Sequence, residues 1–97
     1  MPTHDEFNQF LREFGALTRE ERKQFIKAMK YMVTDMRAGQ PFRAGLRVKR
    51  VQGHPRILEM TWAPDGRATF EYGAQVHAGE PHITWRRIGG HDILKNP

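Results

Sequence analysis

Close to the last residue of the chain, Trp85-Arg86-Arg87-Ile88-Gly89-Gly90-His91 sets two guanidinium groups and an imidazole around a pair of glycines. Arginine binds phosphate through paired donors, and a histidine side chain takes up or releases a proton near neutral pH. If Gly89-Gly90 lets the chain turn sharply, His91 folds back beside Arg86 and Arg87, and the three make a phosphate site. The plainer alternative is that the glycines end a strand and His91 is solvated beyond it. More cations stand upstream: Arg47, Lys49 and Arg50 in "GLRVKRV", and Arg67 directly after Ala63-Pro64-Asp65-Gly66.

The distribution of charge bears on what such a site would meet. The net charge of +5 comes entirely from residues 36–97, which carry ten Lys and Arg against five Asp and Glu, whereas residues 1–35 carry six of each. A basic part joined to a neutral one suggests an anionic partner, nucleic acid or an acidic protein segment, unless the charge serves only solubility. With 97 residues and no low-complexity segment, one domain over residues 1–97 is expected. The absence of cysteine rules out disulfides and Cys-based zinc sites. His77 and His82 lie on or beside a loop without a second ligand at zinc spacing, so neither a metal nor a small-molecule cofactor is expected. The amino-terminal residues lack the charged and apolar blocks of a signal peptide, and no apolar run approaches the roughly 20 residues that span a bilayer. A cytoplasmic protein with no membrane partner is the expectation.

Two helices and a sheet must position these cations. Thr3-His4-Asp5-Glu6 and Thr18-Arg19-Glu20-Glu21 both match the capping box and predict helix starts. Phe7, Phe10, Leu11 and Phe14 then recur at helical spacing until Gly15. A second stripe, Phe25, Met29, Met32, Val33 and Met36, runs to Gly39 and Pro41. Beyond Pro41 the period falls to two in "GLRVKRV", "RILEMTW", "RATFEY" and "HITWRRI". Tight turns at Gly53-His54-Pro55 and Ala63–Gly66 join neighbouring runs. The predicted fold class is α+β, two amino-terminal helices on one face of a four-stranded, mainly antiparallel sheet.

Alternation assigns the faces. Leu46, Val48, Leu58, Met60, Trp62 and Ala68 belong under the helices, together with Phe70, Tyr72, Ile83 and Trp85. The opposite face then collects Arg47, Lys49, Glu59, Thr61, Arg67 and Thr69, with Glu71, His82, Thr84 and Arg86. Pairing Met60 with Ala68 sets Thr61 against Arg67 and leaves Glu59 diagonal to Arg67. That pair is either a surface ion pair or an arginine held ready for a phosphate.

The order helix, helix, "LRVKRVQGHPRILEMTWAPDGRATFEYG", loop, "HITWRRIGGHDIL" resembles the RelE/ParE superfamily of toxins from bacterial type II toxin-antitoxin systems, over about residues 18 to 94. The resemblance rests on the "LRVKRVQG" strand and turn, the "EMTWAPDGRATFEY" hairpin and the closing "IGGHD". It implies a RelE-like toxin that cleaves mRNA on the ribosome without a metal. It also implies a cognate antitoxin, a small helix-turn-helix protein. Arg67 falls where the family's hairpin arginine meets the scissile phosphate, and His91 where a catalytic Arg or His follows the closing glycines. These two are the expected catalytic residues, with Arg47, Lys49, Arg50, Arg86 and Arg87 as RNA-binding cations. Glu59 and Thr61 stand where familiar RelE members carry lysines, and the carboxy-terminal tyrosine of many members is missing from "HDILKNP". ParE-like members inhibit DNA gyrase on the same fold, so a gyrase inhibitor, or a non-catalytic RNA-binding module, is the alternative.

Overall fold

The computed structural model describes residues 3–75 and 80–97; His77 lies outside them. Two helices are where the periodicity predicts them. Helix α2, Arg19–Arg37, starts on a complete capping box, with Glu21 N–H donating to Thr18 Oγ1 at 3.1 Å and Thr18 N–H to Glu21 Oε1 at 2.8 Å. Its buried stripe is Phe25, Ala28, Met32 and Asp35. Helix α1, Asn8–Ala16, buries Phe10.

The first capping-box match does not start a helix. Thr3–Glu6 forms strand β1, which runs parallel to the last strand, β5 (His82–Gly90), with Glu6 opposite Trp85. Phe7 continues the ladder by donating its N–H to the Trp85 carbonyl at 2.9 Å, and α1 begins one residue later. Without β1 the outer backbone groups of β5 would lack ladder partners, and that demand outweighs a four-residue cap signal.

The sheet therefore has five strands, ordered β1-β5-β4-β3-β2, rather than four. Here β2 is Lys49–Val51, β3 is His54–Thr61 and β4 is Gly66–Tyr72. All pairings except β1 with β5 are antiparallel. "GLRVKRV" yields only three strand residues, because Ala44–Leu46 winds into a 3₁₀ turn and Arg47 takes a left-handed φ of 48°. Leu46 is buried all the same.

Trp85 sits where both helices meet the sheet. Its ring centroid lies 5.8 Å from Phe10 on α1, 5.2 Å from Phe25 on α2 and 5.3 Å from Phe70 on β4. These offset and edge contacts suit aromatic quadrupoles. Met60, Trp62, Ala68 and Ile83 lie in the same core, as alternation predicts, and Ile88 joins them. Tyr72, expected there too, is 52% exposed.

One irregularity changes the outer face. Thr69 pairs with Arg87 but Phe70 pairs with Trp85, so Arg86 is an extra residue in β5. This bulge returns Ile88 to the core opposite Ala68, where strict alternation would put Arg87. Phe70→Ala should lower the unfolding free energy in urea by about 3–5 kcal/mol, the usual range for a fully buried aromatic. Tyr72→Ala should stay within about 1 kcal/mol of the parent.

Candidate functional site

The expected open face is not fully open. Beyond Gly90 the chain forms a 3₁₀ segment, His91–Lys95, which packs back against β4 and β5. Gly89 pairs with Arg67, so the two share the face opposite the core. A Cβ on Gly89 would come within 3.0 Å of Ile93 Cγ2, which places buried Ile93 on that same face. Thr69 is wholly buried and Glu59 is 6% exposed, although both belong to the outward set.

Arg86 and Arg87 hold this returning segment. Arg86 donates to Glu71 Oε1 at 2.8 Å and to the Pro97 carbonyl at 3.2 Å, with its guanidinium over the Phe7 ring. Arg87 donates to both oxygens of Glu13 on α1, at 2.6 and 3.3 Å, and to the Asn96 carbonyl at 3.2 Å. The Glu13 carboxylate raises the Arg87 pKa further above its ordinary value and fixes its charge. The groups that return beside the two arginines are thus the carbonyls of Asn96 and Pro97. His91 is exposed at the start of the segment, one residue beyond Gly90, which pairs with Gly66.

Arg67 and Arg47 come together elsewhere, in a cleft of about 720 Å³ bounded by α2, the loop leading to β2, and the β3–β4 turn. Arg67 and Thr61 are direct cross-strand partners there, as parity requires. The Arg67 guanidinium does not reach Glu59; its Nη1 donates to the Gly66 carbonyl at 3.0 Å and the Pro64 carbonyl at 3.3 Å, drawing the side chain over the turn. That turn is close-packed, since a Cβ on Gly66 would lie 2.6 Å from the Trp62 ring. Lys49 and Arg50 are exposed on edge strand β2, opposite Glu59 and Leu58, and neither lines the cleft.

Residues outside the sequence motifs complete the cleft. Lys27 and Tyr31 come from α2 and Arg43 from the loop, so the lining holds four cations and no carboxylate. Arg43 is locked to buried Asp35 by Nε at 3.0 Å and Nη2 at 2.8 Å, while its backbone N–H meets the same carboxylate at 3.0 Å. Its guanidinium also stacks 4.3 Å from the Tyr31 ring centroid. The available signal was helical: Gln24, Lys27, Ala28 and Tyr31 follow an i, i+3, i+4, i+7 pattern beside the core stripe.

This fold, a mixed five-stranded sheet with two helices on one face, is shared with solved structures of toxins and toxin-antitoxin complexes. The toxin in the E. coli DinJ-YafQ toxin-antitoxin complex superposes with a TM-score of 0.65 at 16% identity, covering 96% of each chain. The RelB-RelE antitoxin-toxin complex from Methanococcus jannaschii gives 0.59 at 13% identity over 95% of each chain. The YoeB/ParE toxin from Agrobacterium tumefaciens gives 0.66 at 8% identity, over 92% of this chain and 98% of that one. No family model and no curated protein matches the sequence. Among the described residues, no helix is long and apolar enough to cross a membrane.

The Asp35 carboxyl is held below its ordinary pKa, first by the Arg43 guanidinium hydrogen bonds and then by the Arg43 backbone N–H, against the opposing effect of burial. A lowered folded value means that this pair's stabilisation is complete above the ordinary aspartate range and is lost as pH falls through the folded value. Asp35→Asn should therefore be less stable than the parent at neutral pH. In urea titrations from about pH 6 downward, the gap should close below the aspartate range.

Proposed function

We propose that this chain is the toxin of a type II toxin-antitoxin pair and a metal-free endoribonuclease acting on mRNA at the ribosome. The observation that carries this reading is the carboxylate-free cleft in which Arg47, Arg67 and Lys27 converge. His91 lies at the same end of the sheet, since Gly66 and Arg67 pair with Gly90 and Gly89. In such cleavage the ribose 2′-oxygen attacks the adjacent phosphorus and the 5′-oxygen departs, leaving a cyclic phosphate and a free 5′-hydroxyl. The 2′-hydroxyl must lose a proton, the leaving oxygen must gain one, and the crowded phosphorane must have its charge neutralised. Arg67 and Arg47 are suited to the last task, and exposed His91 to proton transfer. Arg86 and Arg87, already committed to Glu71 and Glu13, serve instead to hold the carboxy-terminal segment that begins at His91. Lys49 and Arg50 extend the positive surface along edge strand β2.

Two of the similar structures are complexes with antitoxins, DinJ and RelB. A partner for this chain, a small helix-turn-helix protein with an acidic segment, would find in the cleft its complement in charge.

His91→Ala and Arg67→Ala should each lower mRNA cleavage by roughly 100-fold or more, as mapped from RNA 5′ ends after induction, while antitoxin binding persists in His91→Ala, since the His91 side chain does not line the cleft. Lys95→Ala should change little. A parent protein that leaves mRNA intact and inhibits DNA gyrase would replace this reading with the ParE-like one. Antitoxin association, followed by stopped flow, should slow as salt rises, because screening weakens attraction between the acidic segment and the cleft.

A further inference from the structure

The cleavage just proposed uses one side of the cleft and leaves the α2 side without a task. We propose that the α2 side is a subsite for a single unpaired nucleobase, belonging to the nucleotide beside the one that is cut. This inference rests on the RNA reading above and adds to it where the neighbouring base is held.

The first support is shape. A phosphate needs only a few donors, whereas this cleft has a volume of about 720 Å³ and an apolar floor that includes Ala28, Leu46 and Trp62. That combination suits a flat, largely apolar ring with polar edges. The second is the wall. Tyr31 is 40% exposed, yet it is held in place by the Arg43 guanidinium stacked on its ring. An exposed aromatic fixed beside a cationic groove is a stacking platform for a base, and a guanidinium plane serves in the same way.

The third support is how the cations divide their work. Arg43 has Nε and Nη2 on Asp35, so it acts as a fixed planar surface more than as a free phosphate ligand. Lys27 has no ion pair among the described residues, which leaves it for a flanking phosphate beside the scissile one that Arg67 and Arg47 meet. Gln24, two turns of α2 before Tyr31 on the same side, brings an amide with donors and an acceptor to the rim, suited to the edge of a base. An acidic peptide would satisfy the cations but would leave the aromatic wall unused.

The test uses a fluorescein-labelled, single-stranded RNA hexanucleotide made uncleavable by 2′-O-methyl riboses, with binding followed by anisotropy at low salt. A set of probes, each lacking one base, locates the subsite. Loss of the base at one position should weaken binding to the parent protein about ten-fold, within the range for one stacked base. Tyr31→Leu should remove that dependence and keep the residual salt-sensitive affinity, whereas Tyr31→Phe should retain it. Tyr31 is surface-exposed, and a circular dichroism spectrum matching the parent's verifies that the Leu variant is folded. If the hexanucleotide binds but every base can be deleted without effect, or Tyr31→Leu behaves as the parent does, the subsite is overturned and the ribonuclease reading stands. If the parent binds poly-glutamate but not the hexanucleotide, the cleft belongs to an acidic protein segment; the base subsite then falls, and 5′-end mapping separately decides the fate of the ribonuclease reading.

Discussion

Everything on the sheet is positioned through Trp85. Its indole touches Phe10, Phe25 and Phe70, one ring from each helix and one from the neighbouring strand, and it is almost entirely removed from water. Because interiors pack at crystal-like density, such a contact fixes the helices against the sheet in translation as well as in orientation. The placement of α2 follows from it, and with α2 come Lys27 and Tyr31 on one side of the cleft. The β3–β4 turn supplies the other side, stiffened by Trp62 lying against Gly66.

The basic residues fall into two groups with different physical fates. Those on β5 are neutralised by carboxylates from other elements, Arg86 by Glu71 and Arg87 by Glu13. The bulge at Arg86 lets both side chains lie away from the core while Ile88 still reaches it. Those at the end of the sheet keep more of their field, since Arg67 meets only carbonyl oxygens and Arg47 and Lys27 meet no carboxylate among the described residues. Arg43 is the exception within the cleft, its charge balanced by Asp35 while its plane stays in use against Tyr31. Adjacency in sequence, as in Arg86-Arg87, is therefore a poorer guide to an unneutralised positive field than convergence of distant cations.

What could be read beforehand depended on how local the cause was. The Thr18–Glu21 cap and the Thr61–Arg67 register follow from spacing within one element or one hairpin, and both are present. The α2 stripe keeps Phe25 and Met32, but Ala28 and Asp35 complete its buried line while Met29, Val33 and Met36 are half-buried. The same cap pattern at Thr3–Glu6 misleads because the β5 backbone, nearly eighty residues away, takes that stretch as a strand. Burial of Thr69 and Glu59, both in the outward set, is likewise not encoded by alternation. Arg67 and Arg47 were legible as candidates for the site. Their neighbours Lys27, Tyr31 and Arg43 were not, because their positions on α2 and its following loop resembled an ordinary solvated surface.

The parallel pairing of β1 with β5 also governs when the molecule can exist. The strand that carries the central tryptophan, and lies between β1 and β4, is the last of the five to leave a ribosome, while both helices that pack on it are made first. Contacts between Phe10 or Phe25 and Trp85 close loops of sixty residues or more, so their entropy is spent late and folding must wait for β5 to be made. Until then the apolar faces of the helices have no sheet to cover them. The nascent chain therefore cannot assemble its cleft until β5 has been translated, and until then its apolar helix faces are open to chaperones or proteases.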